Sequence, residues 1–453
     1  MLLLLLILIL GTTLRFFHLS QEALWTDEMV TLLHIETGNV HDLVISIIDK
    51  ELTPPGHALL LFYWVKVFDK SEFALRFISV ISDIASILLV FLLGSRLFNR
   101  KTGLLAAFIT AITMLQVVYA QEARPYALLG FLVLLSTYLF TLYYQKKHNK
   151  YLIPYTIASL AAIYVGYMAF FIIGFHFLLL IFTKRISKQY LFSLIGICMG
   201  FFIGWQILYY QVLLRHPLLQ EGLVYRGVPQ FLSDLGVGFY LLPILLLSFG
   251  ILLFYYLFKK YQHSFSIKKI ATYIIIFSLI SAVLHLIFLS TTLRSFALIR
   301  HSFFMVPFIY IILAWAILQK PKALQKILIF IILLFSIYTL STYYTSTTKA
   351  PWPEAIDYMK ENSPQDTKVF FDRPGSNNYL FDYYGGEYFQ QLNLTGQNEK
   401  MISDDKFEQM ISKEKTFWLV SSRNVRNNYL DSMQKHDLLM QKEYPELTVS
   451  LYS

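Results

Sequence analysis

Two short stretches combine residue types that could do chemistry on an anionic substrate. "LWTDEM" carries adjacent acids, Asp27 and Glu28, a few residues after a leucine-rich start, and "YAQEARPYALL" contains Glu122 and Arg124 between two apolar runs. Arginine binds phosphate through bidentate hydrogen bonds. A carboxylate beside it can act as a general base when it reaches a hydroxyl group. Together these residue types suggest that an anionic head group is held while a base removes a proton.

Further residues around these stretches have side chains that could bind the same head group. Gln121 and Tyr126 belong to the second stretch, where Pro125 is expected to break the helix and to free backbone groups. A third stretch, "LIRHSFFMVPF", brings Arg300 and His301 to the start of a later apolar run. A charged side chain at the middle of a bilayer costs about 2.5–3.5 kcal/mol on insertion scales. The charged residues are therefore expected at a water interface.

Each of these residues also has a purely structural interpretation. Asp27 and Glu28 could form a solvated turn or cap a helix at the interface. Glu122 and Arg124 could form an ion pair that anchors a helix end, although residues two apart do not share a helix face, so such a pair needs non-helical backbone. Arg300 could be an anchor that extends its head group from the bilayer into water.

The composition shows that these residues must be positioned by a membrane-embedded scaffold. Of the 453 residues, 56% are hydrophobic, 17% aromatic and only 15% charged, whereas about 25% are charged in ordinary globular domains. The apolar residues form runs close to the ~17–25 residues that a helix needs to cross a bilayer. They predict eleven membrane spans, at residues 1–19, 77–96, 103–120, 127–145, 151–165, 167–183, 189–210, 239–258, 270–290, 299–318 and 327–344.

The distribution of charge gives the orientation of these spans. The formal net charge of +9 reflects short connections that contain basic residues and no acid. Loops rich in Lys and Arg stay in the cytoplasm, so the N-terminus is predicted inside, and the loop 20–76 and the tail outside, in a multi-pass protein of the cell membrane. The basic excess is an orientation signal, and no nucleic-acid partner is expected. The connections are "RLFNRK", "KKHNK", "KRISK", "KKYQHSFSIKK" and "KPKALQK".

The outer loop and the tail are both expected to fold. In the loop, "EMVTLLHIE" and "HDLVISIIDKEL" have apolar residues at the spacing of amphipathic helices that lie on a membrane face, and "TPPGHALLLFYWVKVF" predicts a third helix. The tail, 346–453, predicts a small extracytoplasmic α/β domain beside a membrane domain formed by 1–345. Its expected elements are a helix at "WPEAIDYMKENSP", strands at "TKVFFDRP" and "KTFWLVSS", and a helix in "NVRNNYLDSMQKHD".

Some polar residues fall inside the predicted spans. Asp83 is a functional candidate because acids within membrane helices are costly; a pair with Arg76 and a position at a wet edge of the bundle are the alternatives. His176 and His285 each stand alone in an apolar run, and both are expected to be packed residues of the bundle. The segment 151–183 is too long for one helix and is expected to split near Tyr164-Val165-Gly166.

A metal site in the outer loop is the last alternative that the residue types raise. His34 and His57 could join the nearby carboxylates as ligands, since imidazole and carboxylate suit several divalent ions. No tight ligand spacing supports such a site. Neither a metal nor another cofactor is therefore expected.

The order of the motifs resembles a known family. The pattern "WTDE…TPPGHALL…SEFALRFISV…LGSRLFNRKTGLLAA…YAQEARPYALL…RHSFF…P" is similar to that of the GT-C superfamily of membrane glycosyltransferases. Within it, the resemblance is to bacterial relatives of dolichyl-phosphate-mannose protein mannosyltransferases and of the lipid A aminoarabinose transferase. It is dense over about 1–130 and looser over 294–310. The start of the tail, "PWPEAIDYMKE", resembles the outward-facing domain that many of these enzymes carry.

The resemblance implies a fold and a reaction. The fold is an all-α polytopic membrane bundle of about eleven transmembrane helices, with a long outer first loop and a small C-terminal α/β domain outside the cytoplasm. Such enzymes take a sugar from a polyprenyl-phosphate carrier and pass it to an acceptor protein, lipid or glycan at the outer face of the membrane. Direct displacement by the acceptor would invert the anomeric carbon.

The resemblance also implies roles for individual residues. Asp27 would be the catalytic base with Glu28 as its supporting neighbour, and Glu122 would position the acceptor or the donor sugar. Arg124 and Arg300 would bind the lipid phosphate and stabilise it as a leaving group. The remaining expected residues of the donor site are Gln121, Tyr126, His301 and His57.

Two departures from the family pattern, and two rival functions, qualify this interpretation. "TPPGH" has Gly56 where relatives commonly have a bulkier residue, and His301 replaces a frequent tyrosine.

A lipid or sugar transporter or flippase would instead predict ionisable residues near the bilayer midplane on broken, repeated helices. A cell-wall polymer ligase or polymerase would share the lipid-phosphate site without needing the "DE" loop.

Overall fold

The computed structural model shows a mainly helical chain with one small mixed sheet. The residues that it describes are 1–51, 53–183, 185–209, 300, 302–363, 367–371, 376–392, 409–412, 414–422 and 436–453.

The chain divides into two compact units that do not follow the order of the sequence. The first unit comprises Met1–Phe17, His34–Lys70 and Ala74–Tyr338. The second comprises His18–Leu33, Ser71–Phe73 and Thr339–Ser453. Part of the first loop thus packs with the tail, although more than three hundred residues separate the two in sequence. The predicted domain boundary after residue 345 stays a prediction, because compactness alone does not define an independently folding domain.

The first loop forms three helices, which confirms the prediction from its apolar spacing. They are α2 (Thr26–Ile35), α3 (Val40–Lys50) and α4 (Gly56–Val67). At the start of α3, the Asn39 side chain accepts a hydrogen bond from the Asp42 backbone N–H at 3.0 Å, which satisfies one of the free donors of the first turn.

The packing of α4 gives a physical reason for the unusual glycine in "TPPGH". A Cβ atom on Gly56 would lie 2.4 Å from the backbone oxygen of Tyr164, which is far inside van der Waals contact. Tyr164 lies in α9 (Leu152–Val165). Because the obstructing atom belongs to the backbone, a larger residue would require the two helices to move apart.

The apolar helices of the first unit pack against one another and bury a large apolar cluster and smaller ones beside it. They are α1 (Leu2–Phe16), α5 (Glu72–Leu97), α6 (Arg100–Ile112), α7 (Met114–Ala120), α8 (Tyr126–Lys146), α9, α10 (Ala169–Phe182), α11 (Lys188–Tyr209), α12 (Val306–Leu318) and α13 (Lys322–Thr345). Helix α8 packs on α9, α12 and α1 pack on α6, and α11 packs on α9. The first residues of α5 and the last of α13 belong to the second unit.

The number of membrane spans is the part of the fold prediction that the structure does not confirm. Within the described residues, three helices are long and apolar enough to cross a bilayer, namely α5, α8 and α13. A fourth span results if α6 and α7, which meet at an angle of 61°, count as one. The predicted spans 239–258 and 270–290 lie outside the described residues, so eleven spans are not confirmed.

Other expectations about the helices are confirmed. Residues 151–183 form two helices, α9 and α10, on either side of Gly166. His176 in α10 is packed: its ring stacks on Phe140 with centroids 4.2 Å apart, and its Nδ1 lies 3.3 Å from the Tyr155 hydroxyl. His285 lies outside the described residues.

Asp83 in α5 has a partner that was not among the alternatives raised by the sequence. Its carboxylate pairs with Arg15 of α1 rather than with Arg76, at 2.5 Å between Nε and Oδ2. Arg15 also donates to the backbone oxygens of Gly11, Ala111 and Thr110 at 2.9–3.0 Å. The pair therefore connects α1, α5 and α6 inside the bundle. No motif in the sequence indicates this pair, because Arg15 lies at the end of an apolar run, 68 residues away from Asp83.

The second unit contains the predicted α/β structure. Strands β1 (Lys368–Phe371), β2 (Gln390–Leu392), β3 (Phe417–Ser422), β4 (Leu438–Tyr444) and β5 (Leu447–Tyr452) form a sheet in the order β2-β1-β3-β5-β4. Strand β1 is parallel to β2 and β3, and β5 is antiparallel to β3 and β4. The same unit contains helices α14 (Trp352–Asn362) and α15 (Ser376–Tyr383). The helix predicted in "NVRNNYLDSMQKHD" lies almost wholly outside the described residues.

Candidate functional site

The break between α7 and α8 holds most of the predicted site residues of the first unit. Residues 121–125 are not helical, and Pro125 is the N-cap of α8 with a backbone conformation suited to the first turn. Glu122 and Arg124 are buried here, with 9% and 8% of their surface exposed. Gln121 faces the end of α1, because its amide nitrogen donates to the backbone oxygens of Arg15 and Phe17 at 2.9 and 2.7 Å.

Arg124 pairs with an acid that the sequence analysis did not identify. Its Nη1 lies 3.0 Å from Oε1 of Glu51, and the two side chains are 10% and 16% exposed. Thr53 also donates to Glu51, at 2.6 Å. Burial by itself would raise the pKa of Glu51, but the positive charge of Arg124 and the two hydrogen bonds lower it below the usual value. Glu51 is therefore a carboxylate at neutral pH.

Two histidines complete this cluster of Glu51, Arg124, His57 and His34, which we call the Arg124 cluster. His57, the second residue of α4, is buried, and burial together with the charge of Arg124 lowers its pKa to about 3. It is a neutral imidazole at pH 7, and its Nε2 has no hydrogen-bond partner among the described residues. His34 lies 3.8 Å from Glu51 through Nε2, and its Nδ1 lies 2.7 Å from the Ser46 hydroxyl.

A second group of side chains surrounds Tyr119 at the end of α7. The Tyr119 ring contacts Tyr126 and Phe303 with centroids 5.4 and 4.6 Å apart. Its hydroxyl interacts electrostatically with Glu122 and Arg300. The structure thus brings Glu122, Tyr126 and Arg300 together around one tyrosine, although Arg300 is far away in sequence.

Asp27 and Glu28 lie in the second unit and differ from each other. Both belong to the first turn of α2, where negative charge is favourable. Asp27 is half-buried. Glu28 is fully buried: it accepts a hydrogen bond from the Trp25 backbone N–H at 3.3 Å and pairs with Lys349 at 3.0 Å. The bond to Trp25 is one half of a capping box, as the structural interpretation of Glu28 expects, and its supporting role in catalysis stays a prediction.

The candidate residues are therefore divided between the two units. Glu122, Arg124, Tyr126, Arg300 and His57 gather in the first, with Gln121 beside α1. His301 lies outside the described residues. Sequence reasoning missed Glu51 and Lys349. Glu51 ends an amphipathic helix and Lys349 precedes "PWPEAID", and neither belongs to a recognisable motif.

The described residues include no group of three or more His, Cys, Asp or Glu side chains arranged to hold a metal ion. In the Arg124 cluster the positive charge of Arg124 occupies the place beside Glu51 that a cation would need. The expectation that the protein needs no metal stays a prediction.

Part of the chain is similar in sequence to known proteins. A sequence model of the family described as dolichyl-phosphate-mannose-protein mannosyltransferase matches residues 53–209, which include His57 and the break between α7 and α8. An uncharacterized protein of Aquifex aeolicus (strain VF5) is 25% identical over 302 residues, which are 62% of this chain and 58% of that protein. The match thus spans little more than half the length of this relative.

Solved structures resemble the whole fold. Apo ArnT from Cupriavidus metallidurans superposes with a TM-score of 0.56 at 12% identity, covering 99% of this chain and 97% of that one. Its complex with undecaprenyl phosphate gives 0.55 at 11% identity, with the same coverage. An Archaeoglobus fulgidus oligosaccharyltransferase tethered to an acceptor peptide gives 0.51 at 13% identity, covering 100% of this chain and 73% of that one.

These likenesses show the fold. The chain has the fold of the solved ArnT and oligosaccharyltransferase structures, and its described residues include helices long and apolar enough to cross a membrane and a small sheet. The match of residues 53–209 to the mannosyltransferase family confirms the resemblance that the motifs predicted.

Proposed function

We propose that this protein is an inverting glycosyltransferase that moves a sugar from a polyprenyl-phosphate carrier to an acceptor at the outer face of the cell membrane. The observation that carries the proposal is the Arg124 cluster: a buried arginine and a neutral histidine at a helix break, on the fold of an enzyme that has been crystallised with undecaprenyl phosphate. The cluster combines a fixed positive charge with a hydrogen-bonding group, which is the chemistry that a phosphate needs.

In this proposal, Arg124 binds the phosphate of the donor. Its Nη1 contacts Glu51, and 10% of the side chain is exposed, so the guanidinium is oriented by a fixed partner and the side chain is not completely enclosed. The buried Nε2 of neutral His57 supplies a further hydrogen bond to a phosphate or sugar oxygen. Arg300, near Glu122 and Tyr119, would contribute a second positive charge. These charges stabilise the phosphate as it departs with the electrons of the broken bond.

The chemical step requires a base for the acceptor. The acceptor oxygen attacks the anomeric carbon, the bond between that carbon and the phosphate oxygen breaks, and the polyprenyl phosphate leaves with the electron pair. The acceptor proton passes to the Asp27 carboxylate. Asp27 is the more suitable of the two adjacent acids, since Glu28 is fully buried and bound to Lys349.

One observation bears on the rival transporter. A transporter predicts ionisable side chains within its membrane helices, and Arg15 and Asp83 are such side chains. However, Arg15 donates to Asp83 and to three backbone oxygens, so this pair is saturated with hydrogen bonds. We assign it to the support of the bundle.

The experiment that tests the proposal uses the purified full chain in lipid nanodiscs with a panel of polyprenyl-phosphate sugars. Consumption of one donor by the wild type is expected. Asp27→Asn should lower kcat by at least about 100-fold, the lower end of the contribution that a general base makes. Asp49→Asn, which changes an exposed acid of α3, is the matched control and should keep the wild-type rate.

Two results would contradict the proposal. If the wild type consumes no donor in the panel, the proposed reaction is wrong. If a donor is consumed and Asp27→Asn keeps the wild-type kcat, the reaction stands but the assignment of Asp27 as the base is wrong.

A further inference from the structure

The segment that leads to Asp27 depends on side-chain contacts for its position. Residues 18–25 form neither a helix nor a strand, so no ladder of backbone hydrogen bonds fixes them. They belong to the second unit together with 339–453. Thr348, Lys349 and Tyr384 of this unit contact the segment or the first turn of α2. Each binds a different residue, and these partners lie on both sides of Asp27.

Tyr384 forms the first of these contacts. Its hydroxyl accepts a hydrogen bond from the Leu24 backbone N–H at 2.7 Å and donates to the Glu72 carboxylate at 2.6 Å. Burial and the hydrogen bond to Glu72 both raise the pKa of Tyr384, so the hydroxyl stays protonated and can make both bonds. One atom thus fixes the backbone three residues before Asp27 and the first residue of α5.

Lys349 forms the second contact, with the residue that follows Asp27. Its ammonium group lies 3.0 Å from Oε2 of Glu28, and the two side chains are 11% and 0% exposed. The same Glu28 oxygen accepts from the Trp25 N–H at 3.3 Å. Truncating one partner of a buried ion pair leaves the other charge uncompensated, so the loss of Lys349 would disturb Glu28 and, through it, the first turn of α2.

Thr348 forms the third contact. Its backbone N–H and its hydroxyl both donate to Oε1 of Glu22, at 2.7 and 2.9 Å. Glu22, Leu24 and Glu28 therefore each bind to a residue of the tail, and Asp27 lies between the last two. Two of these contacts precede Asp27 and one follows it, so the tail holds the chain on both sides of the acid to which we assign the proton transfer.

We propose that Thr348, Lys349 and Tyr384 are positioning residues that hold the turn carrying Asp27, so that the C-terminal domain is part of the catalytic apparatus. The inference rests on the proposed function in assigning chemistry to Asp27. None of the three residues contacts the reacting atoms. They act by fixing the backbone on both sides of the base, and a misplacement of about 1 Å can cost about 100-fold in rate.

The test compares Tyr384→Phe and Lys349→Met with the wild type in nanodiscs. Each variant is expected to lower kcat about 10- to 100-fold with little change in the KM for the donor, because the donor phosphate is assigned to other residues. Lys349→Arg keeps the charge opposite Glu28 and should recover most of the rate. The matched controls are Tyr379→Phe and Lys415→Met, which change exposed residues of the same unit.

A double-mutant cycle separates positioning from a general loss of structure. If Lys349 acts through Glu28, the effect of Lys349→Met should be much smaller in a Glu28→Gln background, because no uncompensated charge then remains. Hydrogen exchange of the peptide that covers 18–28 gives a readout that does not need activity. Exchange should be faster in Tyr384→Phe and Lys349→Met than in the two controls.

Each outcome decides between the two proposals. A lower kcat with unchanged KM and faster exchange of 18–28 supports the inference. An active wild type whose Tyr384→Phe and Lys349→Met variants keep its kcat overturns the inference and leaves the proposed function intact. If the wild type consumes no donor, the proposed function is wrong. Hydrogen exchange then still tests the contacts: if the peptide 18–28 exchanges at the same rate in all variants, Thr348, Lys349 and Tyr384 do not hold this segment.

Discussion

Two arginine–carboxylate pairs of the first unit have the same chemistry in different surroundings. Arg15 and Asp83 are 0% and 2% exposed, and the guanidinium also donates to three backbone oxygens. Arg124 and Glu51 are 10% and 16% exposed, and beside them lies His57 with a buried ring nitrogen that has no partner among the described residues. The first pair is closed to a ligand, whereas the second is accessible and has unused hydrogen-bonding capacity beside it.

The difference shows how to separate structural from functional charge in a membrane bundle. A buried charge costs several kcal/mol unless hydrogen bonds compensate it. In the Arg15–Asp83 pair the compensation comes from α1, α5 and α6, and the result is a fixed connection. In the Arg124 cluster the charges lie at a helix break with loop residues around them, where a substrate can supply the remaining contacts.

The largest effect is expected from breaking the closed pair. Arg15→Met leaves Asp83 uncompensated among apolar helices and should lower the free energy of unfolding by about 3–5 kcal/mol, measured by unfolding in mixed detergent–SDS micelles. The double variant Arg15→Met/Asp83→Leu should recover much of the loss, because no charge stays buried. Stability of the single variant equal to that of the wild type would show that the pair does not support the bundle.

A smaller effect, on activity rather than on stability, is expected from the accessible pair. Arg124→Lys keeps a positive charge opposite Glu51 but loses the planar fork that binds phosphate. The kcat/KM for the donor should fall by about 10- to 100-fold with the unfolding free energy nearly unchanged. Arg100→Lys, at an exposed position that starts α6, is the control. An unchanged kcat/KM would make Arg124 a structural partner of Glu51, like Arg15 of Asp83.

The smallest effect is expected from the pH dependence of stability. Burial and the charge of Arg124 lower the pKa of His57 from its usual value of about 6.5 to about 3 in the folded protein, so below pH 6.5 the unfolded chain binds a proton that the folded chain does not. The contribution of His57 to stability is therefore complete above pH 6.5 and is lost as the pH falls towards 3. His57→Gln should reduce the slope of unfolding free energy between pH 7 and 5 by up to about 1.4 kcal/mol per pH unit.

The control for this measurement is His41→Gln. His41 has a side chain that is 82% exposed, so its replacement should leave the slope unchanged. If His57→Gln and the wild type have the same slope, His57 is not held neutral in the folded protein, and its role as an uncharged hydrogen-bonding group would have to be abandoned.

Local features of the sequence predicted most of the described elements. Helical spacing in "EMVTLLHIE" and "HDLVISIIDKEL" predicted α2 and α3, and the short apolar run in "TKVFFDRP" predicted β1. Such patterns are readable because burial of one face is a property of neighbouring residues. The count of eleven spans is not confirmed, since α1 and α12 are shorter than a typical span and two of the predicted spans lie outside the described residues.

The candidate site was only partly predictable. Its motif residues, Glu122 and Arg124, were identified because unusual side chains stand out at the end of an apolar run. Their partners were not, since Glu51 is 73 residues away from Arg124 in sequence, and Arg15 is 68 residues away from Asp83. The glycine in "TPPGH" was noted as a departure, but the close approach of the Tyr164 backbone explains it only in three dimensions.

The sequence by itself determined which segments are apolar helices, where the chain breaks, and which side chains could take part in proton transfer and phosphate binding. Only the tertiary structure decided which charges compensate each other and which remain accessible, and that Lys349 and Tyr384 bind the residues around Asp27. The reason is physical: hydropathy and helix propensity act between residues close in the chain. The fate of a buried charge depends on groups that folding brings to within about 3 Å, whatever their separation in sequence.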